Sequence, residues 1–187
     1  INITCGLALI SYEKDIYKYA LGIGSIASTL CAITGLLNAG GRLGYSAVGD
    51  KLKSRNTVYK IILISEIAFT VLALCTGALN GGNTFALVVA IALLLIVNAG
   101  YGGGFSNLPT LLSDVYGMGK ISSIHGIALS AWAIAGLTGN QIAGLIIGDN
   151  NNYQGVLVFT LIMYAVAAFI SFFLIRPNKE GEVVENA

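Results

Sequence analysis

The sequence predicts an all-α integral membrane protein, and three observations lead there. Its 187 residues are 56% hydrophobic and only 10% charged, with a mean hydropathy of +0.80. A water-soluble fold of this length has too small an interior for so much apolar side chain, and needs more charge to cover its outside. The apolar runs reach the ~20 residues that carry a helix across a bilayer core, and they lack the alternation of a membrane β-strand. Lipid offers no partner to backbone N–H and C=O groups, so helices, which close these bonds internally, are expected.

Taken in order, residues 1–10 are apolar but would reach only about 15 Å as a helix, half a bilayer core. They read as the tail of a span, not as a signal peptide, since no basic segment or small-residue cleavage site accompanies them. Five complete spans follow, over residues 18–48, 58–79, 85–113, 121–147 and 153–175. The first ends in the basic stretch from Asp50 to Arg55, and the second in the turn Asn80-Gly81-Gly82-Asn83. The third runs into a turn flanked by Asp114 and Lys120, and the fourth into the polar loop from Gly148 to Gly155. The fifth stops at Arg176-Pro177, leaving a polar tail. The expected organisation is a helical bundle over residues 1–175 and a tail over 176–187, with the chain beginning inside a longer protein.

Charge sets the expected topology. Lys51, Lys53, Arg55, Lys60, Lys120, Arg176 and Lys179 fall at turns that alternate to one side. The other side carries Lys14 and Lys18, offset by Glu13 and Asp15. By the positive-inside rule the basic side is expected to be cytoplasmic, with the C-terminus inside and the plasma membrane as the expected address. A net charge of +1 argues against a nucleic-acid-binding surface, which needs a concentrated basic stripe.

Several chemistries fall away. Cys5, Cys31 and Cys75 stand at no metal-ligand spacing, and His125 has no Cys or carboxylate neighbour in sequence, so neither a zinc site nor a disulfide framework is expected. Asn2-Ile3-Thr4 fits a glycosylation sequon but lies in an apolar segment. No Gly-rich phosphate loop follows a strand, and no nucleophile–base set or paired carboxylates mark an enzyme. No cofactor is expected. The 24 glycines include Gly40/Gly44, Gly100/Gly104 and Gly144/Gly148, four apart, the small-residue spacing that lets helices approach in lipid. Gly102-Gly103-Gly104 with Pro109 marks a place where the third complete span is expected to bend.

Polar residues inside apolar spans cost free energy and survive where they face a cavity, a partner or a ligand. In the first complete span Cys31, Gly35, Asn38, Arg42 and Tyr45 share a helical face. In the fourth, His125, Leu129, Trp132, Gly136 and Asn140 do the same. Glu66 sits near mid-depth of the second, and Asn98, Tyr101 and Asn107 lie along the third.

These residues carry a resemblance. The loop bearing Asp50, Lys51 and Arg55 resembles the signature loop between the second and third helices of each half of major facilitator superfamily transporters. Ser46, Lys53 and Ser54 depart from it, as is usual in the second copy. The segments around Asn38-Ala39-Gly40-Gly41-Arg42, Gly100 to Pro109 and His125 to Asn140 are similar to the C-terminal half of the oxalate/formate antiporter family. The resemblance implies the C-terminal six-helix half, its first helix truncated, of a twelve-helix bundle, with an N-terminal six-helix half as partner within the same chain and lipid around both.

It also implies roles. In the family an arginine of the eighth helix binds the substrate carboxylate, and Arg42 matches it; a guanidinium offers a planar fork of donors and keeps its charge. A lysine of the eleventh helix serves oxalate carriers, and Trp132 stands in its place, which fits a monocarboxylate better than a dianion. Asn38, Tyr101 and Asn140 complete the expected substrate-binding set. Asp50, Lys51, Arg55, Asp114 and Lys120 are expected to gate, and His125 and Glu66 are candidates for proton coupling. The expected function is secondary transport of a small organic anion by antiport or proton symport. A carrier of a neutral solute such as a sugar or nucleoside, or a non-transporting accessory membrane protein, are the alternatives.

Overall fold

A computed structural model describes residues 1–80 and 83–175, apart from the side chain of Lys120. The expected tail over 176–187 lies outside the described residues. All regular structure described is helical. Helix α1 spans Asn2–Ile10, breaks at Ser11 and Tyr12, and resumes as a short α2, Glu13–Asp15, which runs into a π-helical turn, Ile16–Ala20. The long helices follow: α3 (Ala27–Asp50), α4 (Asn56–Thr76), α5 (Thr84–Tyr116), α6 (Ile121–Ile147) and α7 (Tyr153–Phe169), the last continued by a π-helical turn, Ile170–Leu174.

Local chemistry explains the ends. Asn83 caps α5 by accepting a hydrogen bond from the Ala86 amide, and Asn152 caps α7 by accepting from Gly155. Helix α4 stops at Gly77, whose φ of 62° is left-handed and open to glycine without a Cβ penalty.

The sequence places the last four spans within a few residues of their helices. The first complete span does not fall where residues 18–48 predict. Residues 18–20 belong to the π-helical turn, and α3 begins only at Ala27. Hydropathy reads the Leu21–Ile26 connection as span because Leu21, Ile23 and Ile26 are apolar. Four segments, Asn56–Thr76, Thr84–Tyr116, Ile121–Ile147 and Tyr153–Leu174, are long and apolar enough to cross a membrane. The 24 residues of α3 would cover about 36 Å, but its polar stripe makes it less apolar.

Helix α5 is the hub. It packs along α3 and α4 and touches α1, while α1 packs against α6 and α4 against α7. The main core joins Leu9, Ile16 and Tyr17 to Leu93, Leu94 and Val97 of α5 and Leu157 of α7. Burial here takes side chains out of lipid rather than out of water, so close van der Waals fit and satisfied polar groups hold the helices together.

Of the glycine pairs the spacing picks out, Gly100 lies against Glu66 and Ile62 of α4 and Gly144 against the Tyr12 hydroxyl, but none of the pairs carries the α3–α5 contact. Gly40 and Gly44 have open space where a Cβ would stand. Gly41 lies directly against the Ala99 backbone, and Gly102 against the Asn38 carbonyl, so α3 and α5 meet backbone to backbone there. Gly148 ends α6 with a φ of 47° and packs no helix. Helix α5 is continuous from Thr84 to Tyr116 with Pro109 inside it. Its glycines are filled from three sides, by Asn38 and Tyr45 of α3, Glu66 and Ile62 of α4, and Asn2 beside Gly104. A helical interruption falls at Ser11 and Tyr12, between α1 and α2.

Candidate functional site: an arginine on an aromatic platform

Helices α3, α5 and α6 bring four side chains together. Arg42 on α3 is exposed and holds its guanidinium 5.3 Å from the ring centroid of Phe105 on α5. Phe105 meets Trp132 of α6 edge to face, with centroids 6.0 Å apart. The Trp132 indole N–H donates to the Tyr101 hydroxyl at 3.0 Å. Tyr101 and Phe105 are one turn apart on α5 and share a face.

This chain of contacts fixes the arginine without consuming it. Stacking on an aromatic face orients a guanidinium and leaves its in-plane N–H donors free. Among the described residues no carboxylate lies within ion-pair distance of Arg42; Asp50 pairs with Arg55 instead. The arrangement is a pre-positioned cation with free donors, bordered by a tryptophan that is 40% exposed. It suits a planar carboxylate.

The other expected binding residues divide. Asn38, one turn before Arg42, lies at the α3–α5 contact, its carbonyl against Gly102. Asn140 is exposed two turns beyond Trp132, where its carbonyl accepts from the Tyr12 hydroxyl at 3.4 Å. No contact joins its side chain to the platform. Phe105 was not among the expected residues, although its i+4 spacing from Tyr101 places it on that helical face.

Two of the expected gating residues, Asp50 and Arg55, form a second group at the α3–α4 loop. Arg55 pairs with Asp50 and donates to the Ser46 carbonyl at 3.2 Å and to the Asn107 side-chain oxygen at 3.1 Å. Asn107 in turn donates to the Gly103 carbonyl at 2.8 Å. Ser46 donates to Ser106 at 3.0 Å, and Ser106 to the Arg42 carbonyl at 3.0 Å. Arg55 thus ties the loop to α5, and Ser106 ties α5 to the turn that carries Arg42. Lys51 is exposed, and Asp114 is exposed near the end of α5. The side chain of Lys120 lies outside the described residues.

His125 and Glu66 sit apart from the platform. His125 is half-buried near the start of α6, and its Nδ1 has no hydrogen-bond partner. Glu66 is buried against Gly100, where a Cβ would stand 2.7 Å from Oε1; its Oε2 and the Tyr164 hydroxyl have no partners. Glu13, read from the sequence as a loop charge, turns inward and is 4% exposed. It accepts from Tyr17 and Asn98. No sequence periodicity signals this, because Glu13 lies beside the helix break.

Four helices long and apolar enough to cross a membrane, among the described residues, are those of a multi-pass integral membrane protein. The chain is 27% identical over 179 residues to the oxalate:formate antiporter of Oxalobacter formigenes, covering 94% of this chain and 41% of that protein. It is 28% identical over 181 residues to monocarboxylate transporter 7 of Homo sapiens, covering 91% of this chain and 32% of that one. The resemblance to the oxalate/formate antiporter family is borne out, and the chain spans less than half the length of either relative. No family model and no solved structure matches.

Proposed function

We propose that the chain forms the C-terminal half of a secondary transporter for a small organic anion, with Arg42 as the carboxylate-binding cation. The observation that carries this reading is the Arg42 guanidinium stacked on Phe105 with no carboxylate partner among the described residues. An unpaired arginine among apolar helices costs free energy that a bound anion offsets. The names of the two relatives, an oxalate:formate antiporter and a monocarboxylate transporter, support the same class of cargo.

The platform holds one cation and offers Tyr101 and Trp132 beside it, which favours a monocarboxylate such as formate, lactate or pyruvate. A second carboxylate would be left without a partner at a cost of several kcal/mol. Asn38 and Asn140 flank the site along α3 and α6. The Asp50–Arg55 loop acts as the gate on the cytoplasmic side, with Lys51, Asp114 and Lys120 at neighbouring positions. Coupling to protons through Glu66 or His125 would act through helix packing, since neither touches the platform.

The test is counterflow of labelled formate, lactate, pyruvate and oxalate in proteoliposomes carrying the full-length protein. Saturable exchange of a monocarboxylate, lost in Arg42→Gln, is the expected result. Exchange that is unchanged in the mutant sinks the role of Arg42 and turns the search to neutral solutes such as sugars or nucleosides. No exchange of any solute by the wild type leaves the accessory-protein reading.

A further inference from the structure

Outside the Arg42 platform, the most completely built polar site surrounds Glu13. It occupies the first position after the break in the first helix, and its side chain points into the bundle. Oε1 accepts from the Tyr17 hydroxyl at 2.9 Å, and Oε2 from the Asn98 amide at 3.3 Å. Thr34 of α3 lies beside it. Asn98 is 14 residues from Thr84, so the contact sits about 20 Å along α5 from its start. No lysine, arginine or histidine comes within ion-pair distance of Glu13 among the described residues.

The partners are not equivalent. The Asn98 amide donates one hydrogen to the Leu94 carbonyl at 3.0 Å and the other to Glu13, so it offers this carboxyl only a donor. A hydroxyl both donates and accepts. Tyr17, fully buried, can turn from donor to acceptor when Oε1 gains a hydrogen. The site therefore offers two donors to the carboxylate and an acceptor to the carboxylic acid. Facing it are Tyr17 on its own segment and Cys31 of α3, which also feels Lys14. From α5 the facing group is an amide.

We propose that Glu13 is a proton-binding site, taking a proton from water on Oε1 against Tyr17, and that its protonation state sets how firmly the α2 segment is held to α5. With Glu13 ionised, the Asn98 contact is charge-assisted; with it neutral, that bond is about half as strong. The broken first helix is then free to move relative to α5. This second step, linking the proton to transport, rests on the anion-carrier reading above; the proton site itself does not.

The experiment is an infrared pH titration of the full-length protein in lipid, between roughly pH 8 and pH 5, the range that brackets perturbed carboxyl groups. A carboxyl C=O band that grows with acid in the wild type and is missing in Glu13→Gln is expected. In Tyr17→Phe the band should persist but move to higher frequency, because the neutral acid has lost its acceptor. Identical carboxyl bands in wild type and Glu13→Gln overturn the proposal, as does a band unmoved in Tyr17→Phe. The Tyr17 arm decides alone if Glu13→Gln fails to fold. Formate counterflow read across the same range should change roughly tenfold in wild type and less than about twofold in Glu13→Gln. A pH profile shared by both overturns the coupling step. Absence of formate exchange in wild type removes the function reading and with it the coupling step, while the infrared result still decides the proton site.

Discussion

Trp132 donates its indole hydrogen to the hydroxyl of Tyr101 at 3.0 Å, and through this bond α6 is held to the same face of α5 that supports Arg42. Tyr101 also packs on Gly6 of α1, where a Cβ would stand 2.9 Å from its ring. Tyr101 therefore joins three helices, α6 through the bond and α1 through its ring. The bond leaves the outer face of the indole open.

Removing this bond should weaken substrate binding more than folding. Tyr101→Phe and Trp132→Phe each lose one hydrogen bond, about 1 kcal/mol, or roughly fivefold in apparent affinity. The double mutant should be little worse than either single one. Substrate dissociation constants for the four proteins check this, and additive losses would show that the two side chains act separately.

Arg42→Lys keeps the charge but loses the planar fork and much of the stacking on Phe105. Affinity for a monocarboxylate should fall by roughly tenfold to a hundredfold, while the protein remains folded. Phe105→Leu should produce a smaller loss of the same kind, about 1 kcal/mol, by freeing the guanidinium. Competition binding with labelled substrate measures both, and wild-type affinity in Arg42→Lys would remove the bidentate account.

The Asp50–Arg55 group separates a surface charge from a structural one. The Asp50 side chain is 67% exposed and that of Arg55 16%. Asp50→Asn should cost less than about 1 kcal/mol, because an exposed ion pair contributes little. Arg55→Ala strands the Asn107 oxygen and the Ser46 carbonyl as well, and should cost about 2 kcal/mol or more. Thermal unfolding in detergent compares the two. Exchange rate, against unchanged substrate affinity, reports the gating role.

Glycine replacements test the backbone contact. Gly102→Val and Gly41→Leu drive side chains into the Asn38 carbonyl and the Ala99 backbone, and should lower stability by about 3 kcal/mol or prevent folding. Gly40→Ala and Gly44→Ala meet open space and should be tolerated, with a gain of up to about 1 kcal/mol in helix propensity. Yields of monodisperse protein give the comparison. Equal tolerance at all four positions would contradict the close approach of α3 and α5.

The residues of α4 to α7 were legible because their apolar runs are long and their interruptions are polar or glycine-rich. Arg42 and Trp132 stood out because a cation and an indole on polar helical faces are conspicuous in an apolar chain. Phe105 did not, since a phenylalanine in such a helix has no polar contrast to mark it. Glu13 was read as a loop charge for the opposite reason. Its neighbours Lys14 and Asp15 resemble a solvated turn, and only the contact with Asn98 turns it inward. Of the glycine pairs, Gly100 and Gly144 meet neighbours while Gly40 and Gly44 face open space, because four-residue spacing identifies a face without saying which face meets a neighbour.

By itself the sequence determined that this protein is helical, that it belongs in lipid, where the last four long spans lie, and which few polar residues stand out along them. These are consequences of hydropathy and spacing, properties local to the chain. The tertiary structure alone decided that Arg42 rests on Phe105 and pairs with no described carboxylate, that Gly41 and Gly102 admit the close contact, and that Glu13 is buried against Asn98. Each of these depends on atoms from helices dozens of residues apart, and their meeting is set by how the bundle packs around α5.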